Sequence, residues 1–143
     1  MKTVRDVLKR KGGEVTSVEP DTTVYDALKL MADKNIGAVV VLDGGRPMGL
    51  FTEREYARQV ILKGKSSRDM VVREIMVSPV LCIAPQQNIE ECMALMTDKR
   101  VRHLPVLEQD RLIGILSIGD VVKAVIDDKQ FTIEQLAMYI QRG

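Results

Sequence analysis

Two stretches of the chain place a hydroxyl and a carboxylate three residues apart, each behind a glycine. One is Gly114-Ile115-Leu116-Ser117-Ile118-Gly119-Asp120, and the other is Gly49-Leu50-Phe51-Thr52-Glu53-Arg54-Glu55. Where a strand passes into a helix, such a carboxylate can accept hydrogen bonds from both hydroxyls of a ribose. The Ser or Thr hydroxyl can bond ribose or phosphate, and the exposed N–H groups of a helix start attract phosphate. The plainer alternative is an acid that only complements the helix dipole. Other chemistry has little material. His103 is the one histidine, and Cys82 and Cys92 both fall at apolar positions. No Ser/His/acid set, metal-ligand spacing or nucleophile beside a base is visible. These features argue against catalysis and against a metal site, and they read the cysteines as buried thiols of a reducing compartment.

The elements that must position these residues are written twice. Residues 15–61 and 80–126 align without a gap, each position about 65 before its partner. Pro20 meets Pro85, Leu30-Met31 meets Leu95-Met96, Asp33-Lys34 meets Asp98-Lys99, and Gly49 meets Gly114. Each copy is about 47 residues, near the size at which a lone chain struggles to bury enough surface, so the copies are expected to share a core. Short extended segments at 15–18 and 80–83 end before a proline. Asp21-Thr22-Thr23 and Gln86-Gln87-Asn88 then supply helix starts. Val24, Ala27, Leu28 and Met31 fall at i, i+3, i+4 and i+7, and Ile89, Cys92, Met93 and Met96 repeat the spacing. Apolar runs at 38–42 and 104–107 read as buried strands. Turns at 43–46 and 108–111 make each of them one arm of a hairpin.

A second helix closes each copy, with Tyr56, Val60 and Ile61 inward in the first and Val121, Val122, Val125 and Ile126 inward in the second. Short helices at 3–11 and 71–76 precede the copies, with Leu8 aligned on Met76. The polar run 63–69 reads as a linker. Residues 131–140 form a further amphipathic helix, with Phe131, Ile133, Leu136 and Ile140 apolar, which either caps the core or packs against another subunit. The expected fold is α+β, an α/β two-layer arrangement of tandem β-α-β-β-α repeats related by pseudo-two-fold symmetry. Its divisions are 1–66 (repeat one with its N-terminal helix), 67–128 (repeat two with its leading helix) and 129–143 (the C-terminal helix).

Composition narrows the partners. Lys and Arg number 21 against 20 Asp and Glu, a net charge of +1, whereas non-specific nucleic-acid binders carry a basic excess. Aromatic residues are 3% with no Trp, which leaves little for base stacking. No leader opens the chain and no apolar run approaches ~20 residues, so a soluble cytoplasmic protein without a membrane partner is expected. The runs Lys9-Arg10-Lys11 and Lys63-Gly64-Lys65 read as solvated faces.

The two Gly-h-h-Thr/Ser-x-x-acid motifs (h apolar), set in tandem repeats, resemble those of the CBS domain, the regulatory module of cystathionine β-synthase. The segment Arg100-Val101-Arg102-His103-Leu104-Pro105-Val106 is similar to the second-strand entry of that family. The resemblance covers nearly the whole chain and is nearest to stand-alone bacterial CBS pairs (Bateman modules). It implies binding of adenosine-containing ligands (AMP, ADP, ATP, NAD or S-adenosylmethionine) as regulatory rather than catalytic groups. It also implies a homodimer and an unidentified protein effector to which occupancy is signalled. A ligand bridging the repeats would favour one inter-repeat angle, by no more than its differential affinity for the two arrangements.

By the same resemblance, one site joins Ser117, Gly119 and Asp120 to Thr16, Val18, Gly37 and Ala38. The other joins Thr52, Arg54, Glu55 and Arg58 to Leu81, Ile83, Arg102, His103 and Pro105. The first has the intact aspartate and a small Gly37-Ala38 floor; the second has arginines that favour an anionic ligand. His103 touches phosphate or is a polar residue at the cleft edge. Arg102 and Arg54 bind phosphate or form surface salt bridges. Glu55 departs from the family's aspartate and either still reaches a ribose or pairs with Arg58. The alternative function is a structural, partner-binding dimer with vestigial sites.

Overall fold

The computed structural model describes residues 2–142, with side chains through Met138. Its elements are α1 (Val4–Lys11), β1 (Ser17–Val18), α2 (Val24–Lys34), β2 (Ala38–Asp43), β3 (Arg46–Thr52), α3 (Glu53–Tyr56), a π-helical turn (Ala57–Ile61), a 3-10 turn (Val72–Glu74), α4 (Ile89–Lys99), β4 (His103–Glu108), β5 (Arg111–Ser117) and α5 (Ile118–Arg142). This is the expected mixed α/β order with a C-terminal helix. β1 pairs parallel with β2, and β2 antiparallel with β3; β4 and β5 form a second, two-stranded sheet.

Local chemistry repeats along with the sequence. Thr23 caps α2 by accepting the Asp26 N–H at 3.1 Å, and Asn88 caps α4 by accepting that of Glu91 at 2.8 Å. Asn35 and Arg100 then end these helices in the left-handed conformation, at φ 54° and 55°. Val24, Ala27 and Met31 are buried on one helix, Ile89, Cys92 and Met96 on the other.

Packing groups the residues differently from the repeats. One compact unit takes the chain up to Gly13, residues 82–108 and the chain from Gly114 onward; the other takes 14–81 and 109–113. The leading segments explain the exchange. Thr3 bridges Asn88, the Val4 N–H donates to Gln87 O at 2.9 Å and the Ile89 N–H to Lys2 O at 3.0 Å, so α1 joins the start of α4. In the other unit Thr23 bridges Val71, the Val72 N–H donates to Thr22 O at 2.9 Å and the Val24 N–H to Met70 O at 2.8 Å. Each leading segment thus completes the unit built on the opposite repeat.

The duplicated glycines have a packing role. A Cβ on Gly114 would lie 2.5 Å from Leu8 Cδ2, and one on Gly49 would lie 2.5 Å from Met76 Sδ and 2.9 Å from Val77 O. In each unit the absent methyl is the space that the aligned leading-segment side chain fills.

Several expectations are corrected. The extended segment at 80–83 forms no named strand, and Ile83 makes a parallel bridge to Val106. The helix expected at 71–76 is a single 3-10 turn, because bridges at Val71 and Val77 hold both flanks extended. Residues 67–70 are no free linker: Ser67 O accepts the Tyr25 N–H at 2.9 Å, and the Arg68 guanidinium lies 4.1 Å over the Tyr25 ring. Val60 and Val121 are buried as expected, but Ile61 (55% exposed), Val122 and Ile126 (60%) face outward. A helix has one inward stripe, and neighbouring apolar residues cannot all lie on it. The C-terminal segment is no separate element, since α5 continues through it. Its described side chains from Lys129 to Met138 are all exposed, Phe131, Ile133 and Leu136 included, so it does not cap the core. Ile140 lies outside the described side chains. Cys92 is buried and Cys82 only partly so.

Candidate functional site

The intact motif forms a reciprocal cap at the start of α5. The Asp120 N–H donates to Ser117 Oγ at 3.2 Å, and the Ser117 N–H donates to Asp120 Oδ2 at 2.8 Å. Lys11 Nζ donates to the same Oδ2 at 2.6 Å and to Ile115 O at 2.6 Å. Burial alone would push the Asp120 carboxyl up. The Lys11 ammonium and the Ser117 N–H more than offset it, and hold the group below the ordinary carboxylate value. Asp120 is therefore an oriented anion at neutral pH. Among the described residues its Oδ1 accepts no hydrogen bond.

The degenerate motif behaves otherwise. Thr52 Oγ1 accepts the Arg54 N–H at 3.2 Å and donates to the Glu55 carboxylate. The longer acid folds onto its own capping hydroxyl instead of the capping N–H. It does not pair with Arg58. Arg54, Arg58 and Arg102 are exposed and form no ion pair among the described residues.

Each unit brings its acid motif beside its own second-strand entry. The Ile118 N–H donates to Arg102 O at 2.8 Å, and at the aligned place the Glu53 N–H donates to Gly37 O at 3.2 Å. Ala38 sits opposite Thr52 across the sheet. Ser117, Gly119, Asp120, Ile83, Arg102, His103 and Pro105 belong to one unit; Thr16, Val18, Gly37, Ala38, Thr52, Arg54, Glu55, Arg58 and Leu81 belong to the other. Thr16 O accepts the Val40 N–H at 3.3 Å and Val18 pairs with Val41, so β1 presents its backbone edge beside β2. Pro105 O accepts the Ile83 N–H at 2.9 Å. His103 is half-buried at the start of β4. Gly37 tolerates a methyl, whose nearest neighbour would be Glu53 Oε1 at 3.7 Å.

Two cavities lie within single units. An open one of about 760 Å³ borders the Gly44-Gly45 turn and includes Val18, but its one guanidinium, Arg73, is held by Asp21 at 2.8 Å. A smaller one of about 200 Å³ lies along α1 and the first turns of α5, with Lys11 and Asp120 in its wall. Lys11 is the residue that sequence reading missed by placing it on a solvated face. Its only sequence signal is its position in the last turn of a helix whose destination depends on packing.

A duplicated strand-to-helix motif, a capped carboxylate and two matched leading segments characterise the arrangement. The family model for the CBS domain matches residues 4–61 and 72–127. The chain belongs to the CBS domain family. It is 40% identical to the mitochondrial CBS domain-containing protein CBSX3 of Arabidopsis thaliana, over 99% of this chain and 73% of the relative. A putative signal-transduction protein with CBS domains from Burkholderia ambifaria MC40-6 is 51% identical, with a TM-score of 0.85, covering 92% of this chain and 99% of that one. The CBS domain pair of protein MJ0100, solved in complex with 5′-methylthioadenosine and S-adenosyl-L-methionine, shares the fold at a TM-score of 0.78. It is 18% identical and covers 90% of this chain and 98% of its own. No described helix of this CBS pair is long and apolar enough to cross a membrane.

Proposed function

We propose that this CBS pair is a regulatory sensor of adenosine-containing nucleotides. The observation that carries the reading is the Asp120 carboxylate, ionised, oriented by the Ser117 N–H and with Oδ1 open to accept ribose hydroxyls. In this reading Thr16, Val18, Gly37 and Ala38 supply the backbone and small surface that complete the aspartate site. The second set, Thr52, Arg54, Glu55 and Arg58 with Leu81, Ile83, Arg102, His103 and Pro105, takes a more anionic ligand. Its three exposed guanidiniums, which form no ion pair among the described residues, favour phosphate contact. AMP, ADP, ATP and NAD are the ligand candidates. The module does no catalysis, works as a homodimer in a reducing compartment such as the cytoplasm, and signals occupancy to a protein effector. The ligand complex of the MJ0100 pair supports the reading at the level of fold.

Isothermal calorimetry of the full chain with adenosine, AMP, ATP and NAD tests it. Native mass spectrometry of freshly purified protein would show the mass of any ligand carried through purification. Saturable heat with at least one adenosine compound is expected, together with its loss in Asp120→Ala. The absence of heat and thermal shift with all four at millimolar concentration would sink the proposal. It would favour the second reading, a structural dimer with vestigial sites, for which the folding of Glu55 onto Thr52 is the specific support.

A further inference from the structure

Each leading segment carries an arginine that is anchored in the same way and ends in a different place. The Arg5 N–H donates to Pro85 O at 3.0 Å, and the aligned Arg73 N–H donates to Pro20 O at 3.1 Å. From that common start the Arg5 guanidinium pairs with Glu108, at the end of β4. Arg73 pairs with Asp21 instead, at 2.8 Å. The carboxylate of Asp43, which aligns with Glu108, forms no hydrogen bond or ion pair among the described residues, and neither does that of Glu19. Two substitutions account for the difference. Asp43 is one methylene shorter than Glu108, and Asp21 offers the arginine an acid where repeat two has Gln86. The turn beyond Asp43 is Gly44-Gly45, against Gln109-Asp110 in repeat two, so no turn side chain stands over the opening. The result is the open cavity of about 760 Å³ walled by Val18, Glu19, Asp21, Leu42, Asp43 and Arg73, all in one unit.

We infer that this cavity is a docking site for a partner protein that inserts an arginine against Asp43. The other unit names the occupant, because there the aligned acid holds a guanidinium delivered from the same backbone anchor. Three acids (Glu19, Asp21 and Asp43) and one guanidinium (Arg73) line the cavity, an excess of two negative charges. The Arg73–Asp21 pair satisfies itself, so the excess sits on Glu19 and Asp43. A planar guanidinium with five donors meets carboxylates in a fixed fork, which an ammonium cannot do. Its aliphatic stem can lie along Val18 and Leu42. The volume falls in the range of ligand sites, about 300–1,000 Å³, so residues beside the arginine can enter with it. The cavity lies at the turn end of β2 and β3, and Ala38 and Thr52 lie at the other end. A partner can therefore occupy it while those nucleotide residues stay free. The inference rests on the effector half of the reading above and not on its nucleotide half.

The test titrates the full chain with the peptide acetyl-Gly-Arg-Gly-amide while amide shifts are read by NMR. Saturable shifts at residues 17–22 and 42–45 are expected. Asp43→Asn should weaken the peptide about tenfold by loss of one charge-assisted contact. The same peptide with citrulline, neutral and of nearly the same shape, should leave these residues unmoved. The double variant Asp21→Asn with Asp43→Glu rebuilds the pairing of repeat two. It should let Arg73 take the acid at position 43 and abolish binding, and adding Arg73→Gln should restore it. No shifts at these residues, equal shifts with the citrulline peptide, or full affinity in Asp43→Asn would overturn the inference. Free L-arginine binding as tightly as the peptide would reassign the cavity to a small molecule and overturn it too. So would the same shifts on concentrating the protein alone, which would make a second copy the occupant. A failure of adenosine compounds to give heat would strike the nucleotide reading and leave the peptide result standing.

Discussion

The two acid motifs began as copies and now differ by one methylene and one lysine. In repeat two, Asp120 closes a reciprocal cap with Ser117 and is gripped by Lys11; in repeat one, Glu55 folds onto the Thr52 hydroxyl and forms no ion pair among the described residues. The helices that follow differ too. α5 runs unbroken from Ile118 to Arg142, whereas α3 gives way after four residues to a π-helical turn at Ala57–Ile61. The comparison teaches that duplication preserved the frame while the chemistry drifted. The backbone bond from the acid motif to the strand entry is present in both copies, and the state of the carboxylate is not.

The strongest way to break this comparison is to remove each acid. Asp120→Ala should lower affinity for an adenosine nucleotide about a hundredfold by calorimetry, since two charge-assisted hydrogen bonds are lost. Glu55→Ala should change it less than about threefold at the aspartate site, the two sites being separate in the proposal. Equal losses would make the asymmetry irrelevant to binding.

The shared frame is tested by filling the matched glycines. Gly49→Ala places a methyl 2.9 Å from Val77 O, which is backbone, and should destabilise by about 2–3 kcal/mol in urea unfolding. Gly114→Ala presses on the Leu8 side chain alone and should cost about 1–2 kcal/mol. The reverse order would mean that Leu8 is the less yielding neighbour.

The Lys11 contact sharpens the contrast through pH. The folded-state pKa of Asp120 lies below its ordinary value, so the carboxylate contributes stability above the unfolded-state pKa, lost as pH falls through the folded value. Lys11→Met should lower stability by about 1 kcal/mol or less near neutrality, and the gap to wild type should close on acidification below about pH 4. A gap that persists in acid would assign the loss to packing along the lysine stem instead.

The smallest effect concerns the core. Cys92 stands where repeat one has Ala27, and burial, with the Glu91 charge adding, pushes its thiol up to about 11. A raised folded pKa gives stability that is full below the unfolded value and is lost as pH rises through the folded one. Wild type should therefore lose stability between pH 9.0 and about 11 by a term that Cys92→Ala lacks. Parallel alkaline stability curves would show the thiol to be better solvated than its burial implies.

Much of this protein was legible in the chain. The gapless repeat fixed the β-α-β-β-α order, because helix and strand periodicities and the polar caps at Thr23 and Asn88 are local properties. The motif spacing identified Asp120 and Ser117 as partners, since a cap spans only three residues. Tertiary structure alone decided which unit each leading segment completes, because that depends on strand-like bonds between residues some eighty apart, such as Val4 and Gln87. It also decided that Lys11 reaches Asp120 and that Ile61 and Ile126 face outward. A side chain's partner and its exposure are set by what packs beside it, and no local pattern of residues encodes that neighbour.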